Sequence, residues 1–328
     1  MDKNLSLISE VCIIWLILIV ILISGCVEND DAGKQYRDAK KYNDLGISFY
    51  GSNKFEEAEN AYRESIRINP GIAEVHNNLG LLLYHLNRSE EAEKEYTEAI
   101  RINPNYTEAH YNLGFLLCDL KRYEEAEEEI RTAIKLNPDY ADAYNNLGYV
   151  LHDLKRYEEA ENAYREAIRL NPNLTEAHNN LGLLLYDLKR YEEAEEELRE
   201  ALNINPNDMK AYNNLGLLLY ILNRFEEAEN AYMEVIRLNP NLAEAHNNLG
   251  ISLQNLKRYE EAENAFKEAI KIKQDYAEAH GNLGILYVKT GRTDDAKREI
   301  LKAKELFEKQ GQSDEVKICD EILKNLNS

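Results

Sequence analysis

Histidines, cysteines, paired acids and a recurring asparagine are the side chains of this 328-residue chain with chemistry to offer. Five of the seven histidines, His76, His110, His178, His246 and His280, share one register, separated by 34 residues or a multiple of 34. One metal needs its ligand atoms about 2 Å away, whereas side chains on successive stacked helices stand roughly 10 Å apart. Tyr42, Tyr144 and Tyr212 fill the same register elsewhere, and a position that takes Tyr or His interchangeably reads as packing. The four cysteines, Cys12, Cys26, Cys118 and Cys319, form no C-x-x-C pair, so neither a zinc site nor a disulfide framework is signalled. Acid pairs such as Glu56-Glu57, Glu124-Glu125 and Glu192-Glu193 suit helix starts, where negative charge complements the helix dipole. No catalytic constellation, metal or cofactor is expected, and the chain does not read as an enzyme. The asparagines are different. Asn78, Asn112, Asn146, Asn180, Asn214, Asn248 and Asn282 recur every 34 residues, and a carboxamide presents the donor and acceptor that match a peptide backbone.

A repeat sets these spacings. Glycines stand at 46, 80, 114, 148, 182, 216, 250 and 284, each preceded by leucine and followed twelve residues later by alanine. All six prolines (Pro70, Pro104, Pro138, Pro172, Pro206 and Pro240) lie 24 residues beyond one of these glycines. With glycine as position 8, the units are 39–72, 73–106, 107–140, 141–174, 175–208, 209–242, 243–276 and 277–310. Positions 3, 4, 7, 8 and 11 form one face of a first helix. Alanine at 20 and a large residue at 24 mark a second helix. The small residues at 8 and 20 let the two helices approach, and the residue at 24 fills the space beside them. Proline at 32 ends the second helix, because the residue before it is pushed out of the helical region. Position 15, Lys or Asn in seven units, is expected to be left-handed, at a cost of about 1 kcal/mol for lysine.

This pattern resembles the tetratricopeptide repeat over residues 39–310. The resemblance implies an all-α tetratricopeptide (TPR) solenoid, a right-handed superhelix of eight helix-turn-helix units. Such a stack needs a polar cap, and residues 311–328 read as a capping helix. Within it Val316, Cys319, Leu323 and Leu326 face inward, and Ser313 is the expected N-cap. By the same resemblance positions 2, 5, 6, 9, 12 and 13 line a concave groove. The asparagines at position 6 then form a ladder similar to that of O-linked N-acetylglucosamine transferase and related peptide-binding arrays. Position 9 is apolar throughout, and position 12 offers Tyr50, Tyr84, Tyr186 and Tyr220. Asp119, Asp153 and Asp187 at position 13, with Glu108, Asp142 and Glu176 at position 2, make the middle of the groove acidic.

The net charge of −21 argues against nucleic-acid binding, which depends on Lys and Arg neutralising phosphates. Val11 to Ile23 is an uncharged run that is short for a membrane span and suited to a signal peptide. It ends Ile23-Ser24-Gly25-Cys26, which resembles a lipoprotein lipobox with Cys26 as the lipidated residue. Residues 1–25 are thus a signal peptide or an N-terminal anchor, and 26–38 a polar tether. The expected protein is a non-catalytic scaffold or assembly factor, anchored on the outer face of a membrane, that holds protein segments with some basic character. The alternatives are a carrier or sensor subunit for glycan or cell-envelope fragments, and a solenoid that joins end to end.

Overall fold

The computed structural model describes residues 31–327, which contain helices and no strand. First helices of the repeats are α1 (31–51), α3 (Ala73–His85), α5 (Thr107–Asp119), α7 (Ala141–Asp153), α9 (Thr175–Asp187), α11 (Met209–Ile221), α13 (Ala243–Asn255) and α15 (Ala277–Lys289). Second helices are α2 (Phe55–Ile68), α4 (Ser89–Ile102), α6 (Tyr123–Leu136), α8 (Tyr157–Leu170), α10 (Tyr191–Ile204), α12 (Phe225–Leu238), α14 (Tyr259–Ile272) and α16 (Thr293–Gln310). A last helix, α17 (Ser313–Asn327), closes the C-terminal end. The chain forms two compact units, one ending at Leu154 and the other beginning at Lys155. Within each unit, helices pack in chain order: α2 through α7 in the first, α8 through α17 in the second.

The repeat pattern explains this packing. A Cβ built on Gly114 would lie 2.6 Å from Ile130 Cγ1, and one on Gly250 would lie 2.6 Å from Phe266 Cε1. Glycine at position 8 therefore lets the residue at position 24 lie flat against the first helix. Position-24 side chains such as Tyr96, Ile130, Tyr164 and Phe266 are buried, as is the alanine at position 20. Each large side chain buried in this way stabilises by about 1.5–3 kcal/mol.

The turn between paired helices reverses through a left-handed residue. Asn53, Asn87, Lys121, Lys155, Lys189, Asn223 and Lys257 have φ between 58° and 62°, and Gly291 has φ of 73°. In the second repeat Arg88 N–H donates to Leu83 O and Asn87 N–H to Tyr84 O, both at 2.9 Å. This pair of bonds caps the last carbonyls of α3. Second helices end where proline was expected to end them: Asn69, before Pro70, is extended at φ −144° and ψ 97°.

Consecutive repeats are also tied by charge. Arg88 reaches back 29 residues to Glu59 at 2.7 Å and Arg122 to Glu93 at 2.7 Å in the first unit. In the second unit Arg190 reaches Glu161 at 2.6 Å and Arg292 reaches Glu263 at 2.8 Å. Each arginine also holds a carboxylate three residues ahead, for example Arg88 with Glu91 and Arg292 with Asp295. The acid at position 19 thus has a specific partner besides the helix dipole. These side chains are part-exposed, so each pair contributes at most about 1 kcal/mol.

Residues 31–38 of the expected tether are helical and continuous with the first repeat. The signal or anchor segment and Cys26 lie outside the described residues. At the other end, Gly311, at φ 74°, terminates α16. Ser313 is the first helical residue of α17 rather than a cap preceding it. Cys319 is buried against Ile300, Leu306 and Phe307, with Val316 and Leu323 packed alongside. Among the described residues no helix is long and apolar enough to cross a membrane.

Candidate protein-binding face

The position-6 asparagines are half-buried, and their donors are already engaged across repeats. In the first unit Asn78 Nδ2 donates to Asn43 Oδ1 at 3.0 Å, and Asn112 Nδ2 to Asn77 Oδ1 at 2.9 Å. Asn146 Nδ2 donates to Tyr111 Oη at 3.1 Å. In the second unit Asn214 Nδ2 donates to Asn179 Oδ1 at 3.0 Å, and Asn282 Nδ2 to Asn247 Oδ1 at 2.9 Å. Every acceptor belongs to position 5 of the preceding repeat. Position 5 was expected on the open face and is sealed in several repeats, where Asn77, Asn179 and Asn247 are at most 7% exposed, while Tyr111, Asn213 and Gly281 are half-buried. The physical reason is the bond itself, since a buried carboxamide is costly unless paired.

The acceptor halves point elsewhere. Among the described residues the buried polar side-chain atoms without a partner are Gln254 Oε1 and Gln312 Oε1. The Oδ1 atoms of Asn112, Asn146, Asn214 and Asn282 are not among them, so these oxygens reach solvent. Asn180 is half-buried in the same register, and Asn248 departs from the pattern. The ladder therefore presents chiefly acceptors to a visitor.

Beside the oxygens of the first unit runs an apolar column at position 9. Ile47, Leu81, Phe115 and Tyr149 are 45%, 38%, 38% and 43% exposed. Phe115 meets Tyr84 edge-on at 5.7 Å and stacks near Tyr111 at 6.4 Å. Tyr84 Oη donates to Asp119 across the repeat step. Burial and that bond push the Tyr84 hydroxyl up to about 12. Asp119, Asp142 and Asp153 are exposed on the same helices. The other tyrosines at position 12 have a different setting, and Tyr50 of the first unit leans on Phe55 at 5.9 Å. Tyr186 leans on Tyr191 at 5.9 Å and Tyr220 on Phe225 at 5.5 Å, each bracing the start of its second helix. Tyr186 and Tyr220 are half-buried, and Tyr220 Oη lies 3.5 Å from Asn255 Nδ2.

The position-4 histidines do more than fill space. His76 Nδ1 lies 2.6 Å from Glu95 Oε2, and Nε2 lies 3.1 Å from the Pro70 carbonyl of the preceding repeat. His110 repeats this with Glu129 and Pro104, and His178 with Glu197 and Pro172. His280 does so with Glu299 and the carbonyl of Gln274, so the carbonyl matters here and the proline ring does not. Both neighbours of each ring only accept, and only the doubly protonated imidazolium donates from both nitrogens. For His110 the Glu129 bond outweighs burial and raises the pKa. For His76 and His178 burial opposes the charge, but the bonds to Glu95 and Glu197 and to the proline carbonyls prevail. The glutamate occupies position 23, which is alanine in the repeats with Tyr42, Tyr144 and Tyr212. In four of the five histidine repeats the two positions therefore change together, His246 with Ala265 being the exception, and that signal was present in the sequence. Among the described residues no group of three or more His, Cys, Asp or Glu is placed to hold a metal. Burial pushes the Cys118 thiol up to about 12 and raises that of Cys319, which keeps both in the core as thiols.

Sequence models described as tetratricopeptide repeat match residues 43–107, 111–175, 173–241, 243–276 and 277–310. The chain belongs to the tetratricopeptide repeat family. Among solved structures it is similar to pilF of Pseudomonas aeruginosa, with 22% identity, 63% of this chain and 94% of that one covered, and a TM-score of 0.57. It is also similar to the APC/C hetero-tetramer Cut9–Hcn1, with 18% identity, 81% of this chain and 52% of that one covered, and a TM-score of 0.60. YrrB, described as a TPR protein with an unusual peptide-binding site, is 27% identical over 56% of this chain and 95% of its own, with a TM-score of 0.46. No curated protein matches the chain.

Proposed function

We propose that this chain is a non-catalytic, membrane-tethered scaffold whose first-helix faces hold an extended protein segment with basic character. The observation that supports it most is the exposed column Ile47, Leu81, Phe115 and Tyr149, flanked by carboxamide oxygens and by Asp119, Asp142 and Asp153. Large apolar side chains left open in one line mark an interaction surface. Acceptors and carboxylates around them favour a partner rich in N–H donors and positive charge. The test uses the full chain and synthetic peptide pairs with identical apolar residues, carrying either Lys and Arg or Asp and Glu. Basic members should bind at least about tenfold tighter. The gap should narrow in high salt and with Asp119→Asn plus Asp153→Asn. Equal binding of acidic members removes the charge assignment. Binding by neither, together with no effect of Leu81→Ser and Phe115→Ser on any partner, removes the scaffold reading.

Tethering rests on the run Val11 to Ile23 and the Ile23-Ser24-Gly25-Cys26 pattern. The substitution Cys26→Ser should release the chain from lipid modification, read as loss of the diacylglycerol mass at the N-terminus. An N-terminus that begins at Met1 with no lipid would instead make the segment an uncleaved anchor.

A further inference from the structure

The first repeat leaves one face of its first helix uncovered. Position-7 leucines of later repeats are sealed between layers, with Leu79, Leu181, Leu215 and Leu283 at most 4% exposed. Leu45 holds the same position in α1 and is 39% exposed. Tyr42 at position 4 is 36% exposed, where His76, His110, His178 and His280 are at most 8% exposed. Phe49 at position 11 is half-buried, where Leu83, Leu151 and Leu185 are buried. The three positions open together because, among the described residues, no repeat precedes the first.

The rim of this face is basic. At 3.6 residues per turn Lys34, Lys41 and Leu45 lie in one line along α1. Arg37 flanks that line on one side, and Asp38, Tyr42 and Phe49 flank it on the other. Lys34, Arg37 and Lys41 are exposed. Lys40 follows on the same helix, and Lys54 stands over the Phe49 ring at 6.0 Å. Asp31, Asp38 and Asp44 are the acids of this stretch, so cations outnumber anions between 31 and 45 in a chain of net charge −21.

Position in the chain supplies the occupant. Four residues separate Cys26 from α1, a span of at most roughly 18 Å. The Debye length at physiological salt is about 8 Å. A chain anchored at Cys26 therefore carries the start of α1 within about two screening lengths of the bilayer. We propose that the uncovered face of α1 docks on an anionic lipid surface, with Lys34, Arg37 and Lys41 at the headgroups and Tyr42, Leu45 and Phe49 against the outer acyl region. The proposal rests on the tethering reading above. Lysine and arginine lay their apolar stems on such a surface while the charges meet the headgroups. Tyrosine suits the boundary between lipid and water. Each attraction is small, but the anchor makes docking intramolecular, so small attractions suffice. The rest of this acidic chain is repelled by the same surface, which leaves this face as the one that approaches. A second copy fits less well, because the exposed large apolar side chain of its α17 is Ile318 alone among the described residues.

The experiment reconstitutes the full chain, with its N-terminus as the cell leaves it, into vesicles of phosphatidylcholine alone or mixed with phosphatidylglycerol. Tyr42→Trp puts an indole on the face, and lipids with a nitroxide on the acyl chain quench it on contact. Signal from Trp15, where that segment is retained, is measured in the parent chain and subtracted. Quenching should be strong in the mixed vesicles and weak in phosphatidylcholine alone. Lys34→Gln plus Arg37→Gln plus Lys41→Gln should lower the docked-to-undocked ratio about tenfold or more. Salt at about 1 M should do the same. Met233→Trp, on α12 at a residue 51% exposed, should be quenched in neither vesicle. Equal quenching in both vesicles, or none lost in the triple variant, overturns the docking. A chain that floats with the vesicles but is not quenched also overturns it and leaves the tether standing. A chain that does not float defeats the tethering reading, and this inference falls with it. An indole already shielded without vesicles overturns it too. Shielding that grows with protein concentration assigns the face to a second copy, and shielding independent of concentration assigns it to other residues of the same chain.

Discussion

The substitution Gly114→Ala should destabilise the chain by about 2 kcal/mol, although the same change inside an ordinary helix stabilises by about 1 kcal/mol. Gly114 lies within α5, and its added Cβ would meet Ile130 Cγ1 at 2.6 Å. A rotamer change in Ile130 gives no escape, because Ala126 O and Ile130 N are also 3.3 Å away and belong to the backbone of α6. The helix itself must retreat. Overpacking of this kind costs about 1–3 kcal/mol, and a whole-helix shift belongs at the upper end. Gly281→Ala is the matched control. It lies in α15, and the nearest atom to its Cβ is Ala303 Cβ at 3.9 Å, an ordinary contact. That variant should keep the propensity gain of about 1 kcal/mol. Guanidinium unfolding followed by far-ultraviolet circular dichroism should show midpoints moving in opposite directions. A shift of both to higher denaturant would mean that close approach is not why position 8 is glycine.

Stability should fall as pH is raised above about 6.5, through loss of the imidazolium staples. His76, His110 and His178 are buried between a glutamate of their own repeat and a carbonyl of the preceding one. Their folded pKa values lie above the ordinary 6.5. A value raised on folding means that the folded state holds the proton more tightly. The staples are therefore fully effective below 6.5 and are lost as pH climbs through the folded values. The other carboxylates near these rings are Glu98 beside His76 and Glu200 beside His178, and both favour the charged form. Glu95→Gln, Glu129→Gln and Glu197→Gln keep an oxygen in place but remove its charge. Each should cost about 1.5–3 kcal/mol at neutral pH, and the triple variant should flatten the pH profile. An unchanged slope in the triple variant would sink this account.

Much of this architecture is legible in the residues themselves. Glycine, alanine and a large side chain at positions 8, 20 and 24 announce two helices in close contact, and Gly114 against Ile130 shows why. Lysine at position 15 was expected in a left-handed turn and is found there at 121, 155, 189 and 257. What escaped was pairing across repeats. The Asn-Asn dipeptides at 77–78, 179–180 and 247–248 contain both halves of the ladder, yet a single unit gives no hint that donor and acceptor meet 35 residues apart. The histidines escaped for a related reason. A position seen to alternate between Tyr and His suggests indifference, until the change from Ala to Glu at position 23, which accompanies four of the five histidines, is read with it.

The reach of the inter-repeat bonds has a consequence for how such a chain can change over generations. Arg122 looks back 29 residues and Asn112 looks back 35, each to the repeat immediately before its own. Removing one whole period, such as 209–242, would bring Arg258 to Glu195 and Asn248 to Asn179, the same chemical types that meet now. Duplicating a period would do likewise. Unequal recombination between such similar coding stretches can thus lengthen or shorten the protein in whole units while every junction stays chemically satisfied, so its span is adjustable without redesign of its parts.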